Sequence, residues 1–143
     1  MNDLVNRAKD LAERAHSGQV DKAGRPYIEH VSRVAAAVSN DSEAEAVAWL
    51  HDVLEDCPGH ESDVLDFPAG VSKAAHILTR YADETDARYY WHVRKCPLAL
   101  RVKLADIADN ADESRLALLD EKTAARLRRK YAKAMAALQG HND

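Results

Sequence analysis

The chain has 143 residues, enough for one domain with one core, and its 46% apolar and 31% charged content is that of an ordinary globular protein. A net charge of −4 excludes a general nucleic-acid binder, which needs a basic surface. There is no apolar run of membrane-spanning length and no leader pattern, and Cys57 and Cys96 lack metal-type spacing, so a cytoplasmic protein with no membrane or nucleic-acid partner is expected.

In chain order, Asn2 can cap a first helix whose inward stripe is Val5, Ala8, Leu11, Ala12 and Ala15. It should stop near His16-Ser17-Gly18, before a polar loop from Gln19 to Arg25. Pro26 opens a second helix with Tyr27, Ile28, Val31, Val34, Ala35 and Val38 on its apolar side and His30 on or beside it. A third helix begins near Ser42 and is expected to continue through His51-Asp52-Val53-Leu54-Glu55-Asp56 before Cys57-Pro58-Gly59 breaks it. Asp63 to Phe67 should make a turn or two, and Pro68 starts a helix carrying Val71, Ala74, Ala75, Ile77 and Leu78. Glu84 to Arg94 reads as a helix whose Tyr89, Tyr90 and Trp91 are packing residues. Pro97 precedes a helix from Leu98 to Asn110 with Leu100, Leu104 and Ile107 on its packing side, and an amphipathic helix from Glu121 to Leu138 clusters Arg126, Arg128, Arg129 and Lys130 around Tyr131. Every strong periodicity lies near 3.6 residues, so the predicted fold is all-α, a single compact helical domain over residues 1–143.

The His51–Asp56 stretch is the most informative. On a helix His51 stacks with Glu55 and Asp52 with Asp56, so an imidazole and three carboxyls face one small volume. Acids at a helix C-terminus oppose the macrodipole and call for a cation, and a His-plus-Asp donor set suits a divalent metal; the plainer alternative is a solvated charge cluster. His30, His51, Asp52 and Asp106 can supply four donors from three helices, two neutral rings and two carboxylates matching a divalent charge, although His30 taken alone reads as a hydrogen-bonded core histidine before a ligand. Glu55 and Asp56 lie one turn beyond, where a general base can act on water. Lys103, Asp106 and Asn110 share a helix face, and Lys22, Lys103 and the arginines near Tyr131 can meet a phosphorylated substrate. The chemistry suggested is metal-assisted hydrolysis of a phosphate ester or anhydride.

Five stretches carry a resemblance: Ala15-His16-Ser17-Gly18-Gln19, Gly24-Arg25-Pro26-Tyr27-Ile28-Glu29-His30, the His51–Asp56 stretch, Val102-Lys103-Leu104-Ala105-Asp106, and Asn110. In this order they resemble the HD-domain superfamily, and within it the hydrolase domain of Rel-type alarmone enzymes and the stand-alone small alarmone hydrolases. The resemblance implies an HD-domain helical bundle with one divalent ion, usually Mn²⁺, held by His30, His51, Asp52 and Asp106. It implies Glu55 and Asp56 as the pair that handles the attacking water, and Lys22, Asn110 and Tyr131 on the substrate, to which the arginine cluster around Tyr131 adds Arg128. The implied reaction is removal of the 3′-pyrophosphate from (p)ppGpp or its adenosine counterpart (p)ppApp. In place of the basic residue that these enzymes commonly carry before the loop lysine, this chain has Asp21, a carboxylate that cannot stack on guanine but can accept hydrogen bonds from a purine base, from which reduced guanine selectivity is expected. No family substrate lysine can be placed between Thr79 and Pro97, where Arg80 and Arg88 are candidates. The alternatives are a related HD phosphatase of nucleotides or NADPH, and an alarmone-binding regulatory or antitoxin-like protein with little turnover. A monomer or homodimer acting on a small nucleotide is the expected assembly.

Overall fold

The computed structural model describes residues 3–139, which form an all-α bundle, as expected from the periodicity; the proposed Asn2 cap lies outside the described residues. Helix α1 (Asp3–Ala15) buries Val5, Ala8, Leu11 and Ala12, the expected stripe, and Gly18, at φ +83°, turns the chain out of it. The following loop folds back on itself: the Asp21 N–H donates to the Arg25 carbonyl at 2.8 Å and the Tyr27 N–H to the Gln19 carbonyl at 2.8 Å. That return brings both the loop and the start of α2 (Tyr27–Ala37) to one place.

Helix α3 (Ser42–Leu50) is the centre of the bundle. Asp41 caps it by accepting from the Glu43 and Ala44 N–H groups. Six of its nine residues, Ala44, Ala46, Val47, Ala48, Trp49 and Leu50, are buried, because α1, α2, α6 (Ala69–Leu78) and α8 (Pro97–Asn110) pack around it. Pro97 stands at the start of α8, where its missing N–H has no helical partner to lose. Helix α8 in turn touches α7 (Asp86–Lys95) and α10 (Glu121–Leu138), the latter with the expected bounds.

The structure departs from the sequence reading in four places. The His51–Asp56 stretch does not continue α3: the helix ends at Leu50, His51 and Asp52 form a turn, and a one-turn helix α4 (Val53–Asp56) follows. Asp52 sits at φ −110°, ψ 1°, outside helical geometry, because tertiary hydrogen bonds to its side chain and to His51 outweigh the regular ladder. The short helix expected from Asp63 to Phe67 lies earlier, as α5 (Glu61–Leu65). A further single turn, α9 (Glu113–Leu116), was not anticipated; Asp112 caps it by accepting from the Ser114 N–H. On α8 the deepest residues are Ala99, Val102, Asp106 and Ile107, while Leu100 and Leu104 are only half-buried. This rotation puts a carboxylate, Asp106, on the core-facing side.

Candidate metal centre

His30 comes from the first turns of α2, His51 and Asp52 from the turn closing α3, and Asp106 from the buried face of α8. One donor atom from each lies within 4.8 Å of every other. The His30 Nε2 is 3.0 Å from Asp106 Oδ1, and the His51 Nε2 is 3.3 Å from the same oxygen and 3.0 Å from Asp52 Oδ2. His30, His51 and Asp106 are each no more than 5% exposed.

The outer hydrogen bonds decide which ring nitrogen faces inward. The His51 Nδ1–H donates to the Ala48 carbonyl at 2.6 Å, an oxygen that can only accept. The His30 Nδ1–H donates to Asp109 Oδ2 at 2.6 Å. Both Nε2 atoms therefore point into the cluster with their outer nitrogens fixed, the arrangement in which histidines hold metals. Asp109 is a reliable acceptor: burial works against its charge, but hydrogen bonds from His30 and Arg33 outweigh this and hold its pKa at about 2. Arg33 Nε donates to Asp109 Oδ1 at 2.7 Å and Arg115 Nη1 to Oδ2 at 3.0 Å. Tyr27 Oη donates to Asp52 Oδ2, fixing that carboxylate too.

The electrostatics fit the same donor set. Burial opposes charge on the His51 ring, yet Asp52 and Asp106 outweigh it and push its pKa well above the imidazole range. Burial likewise opposes the Asp106 carboxylate, and Lys103 and the two histidines outweigh it, holding its pKa well below the usual range. A cluster that attracts protons so strongly attracts a cation in their place. Two rings and two carboxylates with inward-facing donors thus fit one divalent ion.

Around this cluster the structure places the other expected residues unequally. Glu55 and Asp56 follow it on α4, with the Asp56 N–H bonded to the Asp52 carbonyl at 2.9 Å. Asp56 Oδ2 accepts from Gln19 Nε2 at 3.2 Å, and Gln19 Oε1 accepts from the buried His16 at 2.7 Å. Burial and then Asp52 raise the Asp56 pKa, which suits a base. Glu55 turns the other way, its Oε1 accepting from the Arg80 N–H at 2.8 Å.

Lys22, Asn110 and Tyr131 line a cavity of about 430 Å³ beside the cluster, closed behind by Leu116 and Leu127. Arg128 is not among its lining residues: it is exposed and pairs with Glu113 at 2.9 Å. Asp21 also differs from expectation. Its Oδ1 accepts from the Ala23 and Arg25 N–H groups and its Oδ2 from Arg115 Nη2 at 3.0 Å, so it shapes the loop and holds an arginine, with no oxygen left bare for a base. Arg115 Nη1 also donates to Asn110 Oδ1 at 3.0 Å, and Asn110 Nδ2 to Asp106 Oδ1 at 3.2 Å. Sequence reasoning missed Asp109, Arg33 and Arg115; only Asp109 left a trace, three residues beyond Asp106 on one helix face.

No family model matches the chain. Over 120 residues it is 35% identical to the guanosine-3′,5′-bis(diphosphate) 3′-pyrophosphohydrolase of Vibrio cholerae, covering 73% of this chain and 17% of that protein. Over 126 residues it is 33% identical to the bifunctional (p)ppGpp synthase/hydrolase SpoT of Escherichia coli K12, covering 78% of this chain and 18% of that one. The chain is a homologue of the SpoT-type enzymes. It spans less than a fifth of the length of these curated relatives. A solved structure, described as a metazoan ortholog of SpoT that hydrolyzes ppGpp and plays a role in starvation responses, superposes on this SpoT homologue with a TM-score of 0.81. It is 23% identical, with 99% of this chain and 89% of that one covered, and the shared fold is an all-α helical bundle. No helix of the described residues is long and apolar enough to cross a membrane.

Proposed function

We propose that this chain is a metal-dependent hydrolase that removes the 3′-pyrophosphate from a purine alarmone nucleotide, and that residues 1–143 act as one catalytic domain. The observation that carries the reading is the convergence of His30, His51, Asp52 and Asp106 within 4.8 Å, with both outer ring nitrogens already donating. The similarity to enzymes named for (p)ppGpp hydrolysis supports the substrate class.

The four clustered residues would hold the ion, Mn²⁺ by family resemblance. Bound there, it supplies a Lewis acid that offsets phosphate charge and makes water more acidic. The rest falls to side chains of the chain itself. Asp56, its pKa raised and its position fixed by Gln19, takes a proton from the attacking water, and Glu55, held by the Arg80 N–H, orients that water. Water attacks the phosphorus next to the 3′-oxygen and the bond between them breaks; the 3′-oxygen takes a proton from bulk water as pyrophosphate is released, and Asp56 returns its own proton to solvent. Lys22 and Tyr131 receive the nucleotide in the cavity they line, and Asn110, held between Arg115 and Asp106, forms its floor. Asp21 influences the base only through Arg115.

The test is to incubate the Mn²⁺-loaded protein with guanosine and adenosine 3′-pyrophosphates and with NADPH, then identify products. Pyrophosphate and an intact nucleotide are expected; orthophosphate alone would overturn the reading. A guanosine preference in kcat/KM below about 10³-fold, roughly 4 kcal/mol, is expected because residue 21 offers no cation. Asp106→Ala should lose the metal in calorimetry while remaining helical, and retention of stoichiometric metal would remove Asp106 from the ligand set.

A further inference from the structure

The proposed reaction makes no use of His16, which follows α1 directly and is only 2% exposed. Its two ring nitrogens stand in different surroundings. Nδ1 lies 2.7 Å from Gln19 Oε1, whereas Nε2 is buried with no hydrogen-bond partner among the described residues. The direction of the chain of bonds follows from what each group can do. An ionised Asp56 only accepts, so Gln19 presents its amide nitrogen to Oδ2, at 3.2 Å. The amide oxygen then faces His16, which carries its proton on Nδ1 and donates it. The Cys57 thiol donates to the same oxygen at 4.0 Å, which favours the same amide orientation.

A buried nitrogen without a partner lowers stability, and an apolar side chain of similar size would avoid that loss. Packing therefore gives no reason for an imidazole here, while the bond from Nδ1 does. Asp56 is the opposite case: it is exposed and stands on α4, a single turn that cannot fix a side chain by itself. Between the two, the turn at Gly18, φ +83°, brings the Gln19 N–H to the His16 carbonyl at 3.0 Å, so His16 and Gln19 form one rigid unit. The bonds thus run from the core, through a half-buried amide, to a carboxylate beside the candidate centre.

We propose that His16 and Gln19 are positioning residues for the hydrolysis: the ring, locked in the core, orients the Gln19 amide, and the amide aims Asp56 at the attacking water. Neither touches the reacting atoms, and no proton travels through the amide. The inference rests on the proposed reaction and on Asp56 as its base.

The experiment measures kcat, KM and Mn²⁺ affinity for His16→Leu, His16→Asn and Gln19→Met, each alone and combined with Asp56→Asn. Circular dichroism verifies folding, and because Gln19 is only half-buried, Gln19→Met carries the test if His16→Leu does not fold. His16→Leu and Gln19→Met should each lower kcat at least about tenfold, with KM and Mn²⁺ affinity within about threefold. His16→Asn, whose amide nitrogen can donate in place of Nδ1, should recover most of that loss. Combined with Asp56→Asn, neither substitution should lower kcat further, because the carboxylate they aim is gone. The same loss with and without Asp56→Asn, or a His16→Asn as impaired as His16→Leu, is what a structural role gives and overturns the proposal. Side-chain NMR of the metal-free chain reads the arrangement without turnover: the Gln19 amide protons should exchange slowly in wild type and fast in His16→Leu. That signature in a protein without hydrolase activity would sink the proposed reaction and leave the orienting chain from His16 to Asp56 standing. Hydrolysis with kcat indifferent to both residues would do the reverse.

Discussion

The cavity lined by Lys22, Asn110 and Tyr131 and a second of about 620 Å³, lined by Glu55, Arg80, Lys103, Lys130 and Lys133, treat their charges differently. In the first, Arg33 and Arg115 share Asp109, Arg115 also holds Asp21, and Arg25 pairs with Glu29 at 3.2 Å. Those guanidinium groups are spent on architecture: they fix the loop, the Asn110 amide and the outer nitrogen of His30. In the second, Lys130 and Lys133 have no acidic partner among the described residues, and only Arg80 and Lys103 are tied down. One side is a preorganised wall in which Lys22 alone lacks an acidic partner among the described residues, and the other leaves two ammonium groups unpaired. The Glu55-Asp56 pair straddles the two, with Asp56 bonded to Gln19 of the first and Glu55 among the residues of the second.

The largest effects test that straddling. Asp56→Asn and Glu55→Gln should each keep the metal and lower kcat by about 10²–10⁴-fold, the usual worth of general-base assistance. Steady-state kinetics beside metal titration measures both. Near-normal turnover in either variant would assign proton transfer to one side of the cluster alone.

Next comes the wall of the first cavity. Asp109→Asn keeps the shape but weakens the acceptor for the His30 Nδ1–H, unpairs Arg33 and leaves Arg115 with Asp21 and Asn110 alone. Metal affinity should fall by about 10–100-fold, read directly by calorimetry with Mn²⁺. Unchanged affinity would mean that His30 is oriented by packing alone.

A smaller effect probes the wall of the second cavity through pH. Tyr89 is buried, its hydroxyl donates to the Leu78 carbonyl at 2.9 Å, and burial pushes its pKa up to about 12. Between pH 10 and pH 12 the unfolded chain releases this proton and the folded chain keeps it. Stability should therefore be full below about pH 10 and fall by up to about 1.4 kcal/mol per pH unit through that window. Urea melts of wild type and Tyr89→Phe isolate the term, because the variant lacks the titrating group and should lose less stability over the same interval.

The smallest expectation concerns Arg128. It pairs with Glu113 in solvent and reaches neither cavity, so Arg128→Ala should leave kcat/KM within about threefold and stability within about 0.5 kcal/mol. A larger loss in kcat/KM would place it on the substrate and erase the contrast between paired and unpaired cations.

The sequence by itself determined the helices and the identities of the clustered residues. Periodicity near 3.6 and the proline and glycine stops place α1, α2, α6, α8 and α10, because an apolar stripe must be buried wherever it occurs. His30, His51, Asp52 and Asp106 were legible from residue type and from the ordered motifs around them. What periodicity could not show was the break at His51-Asp52. A regular helix is the local optimum there, and the hydrogen bonds that favour a turn, Tyr27 to Asp52 and His51 to Asp106, come from residues distant in sequence. Nor could it show that Asp21, which read as an open acceptor, is taken by Arg115 from 94 positions away. Arg128 read as a pocket residue because charge was counted along the helix, whereas its direction is set by Glu113 on α9, a turn with too few residues to carry a periodic signal. Local pattern dictates which face of a helix is buried; which polar groups meet across that burial is decided when distant segments compete for the same few donors and acceptors.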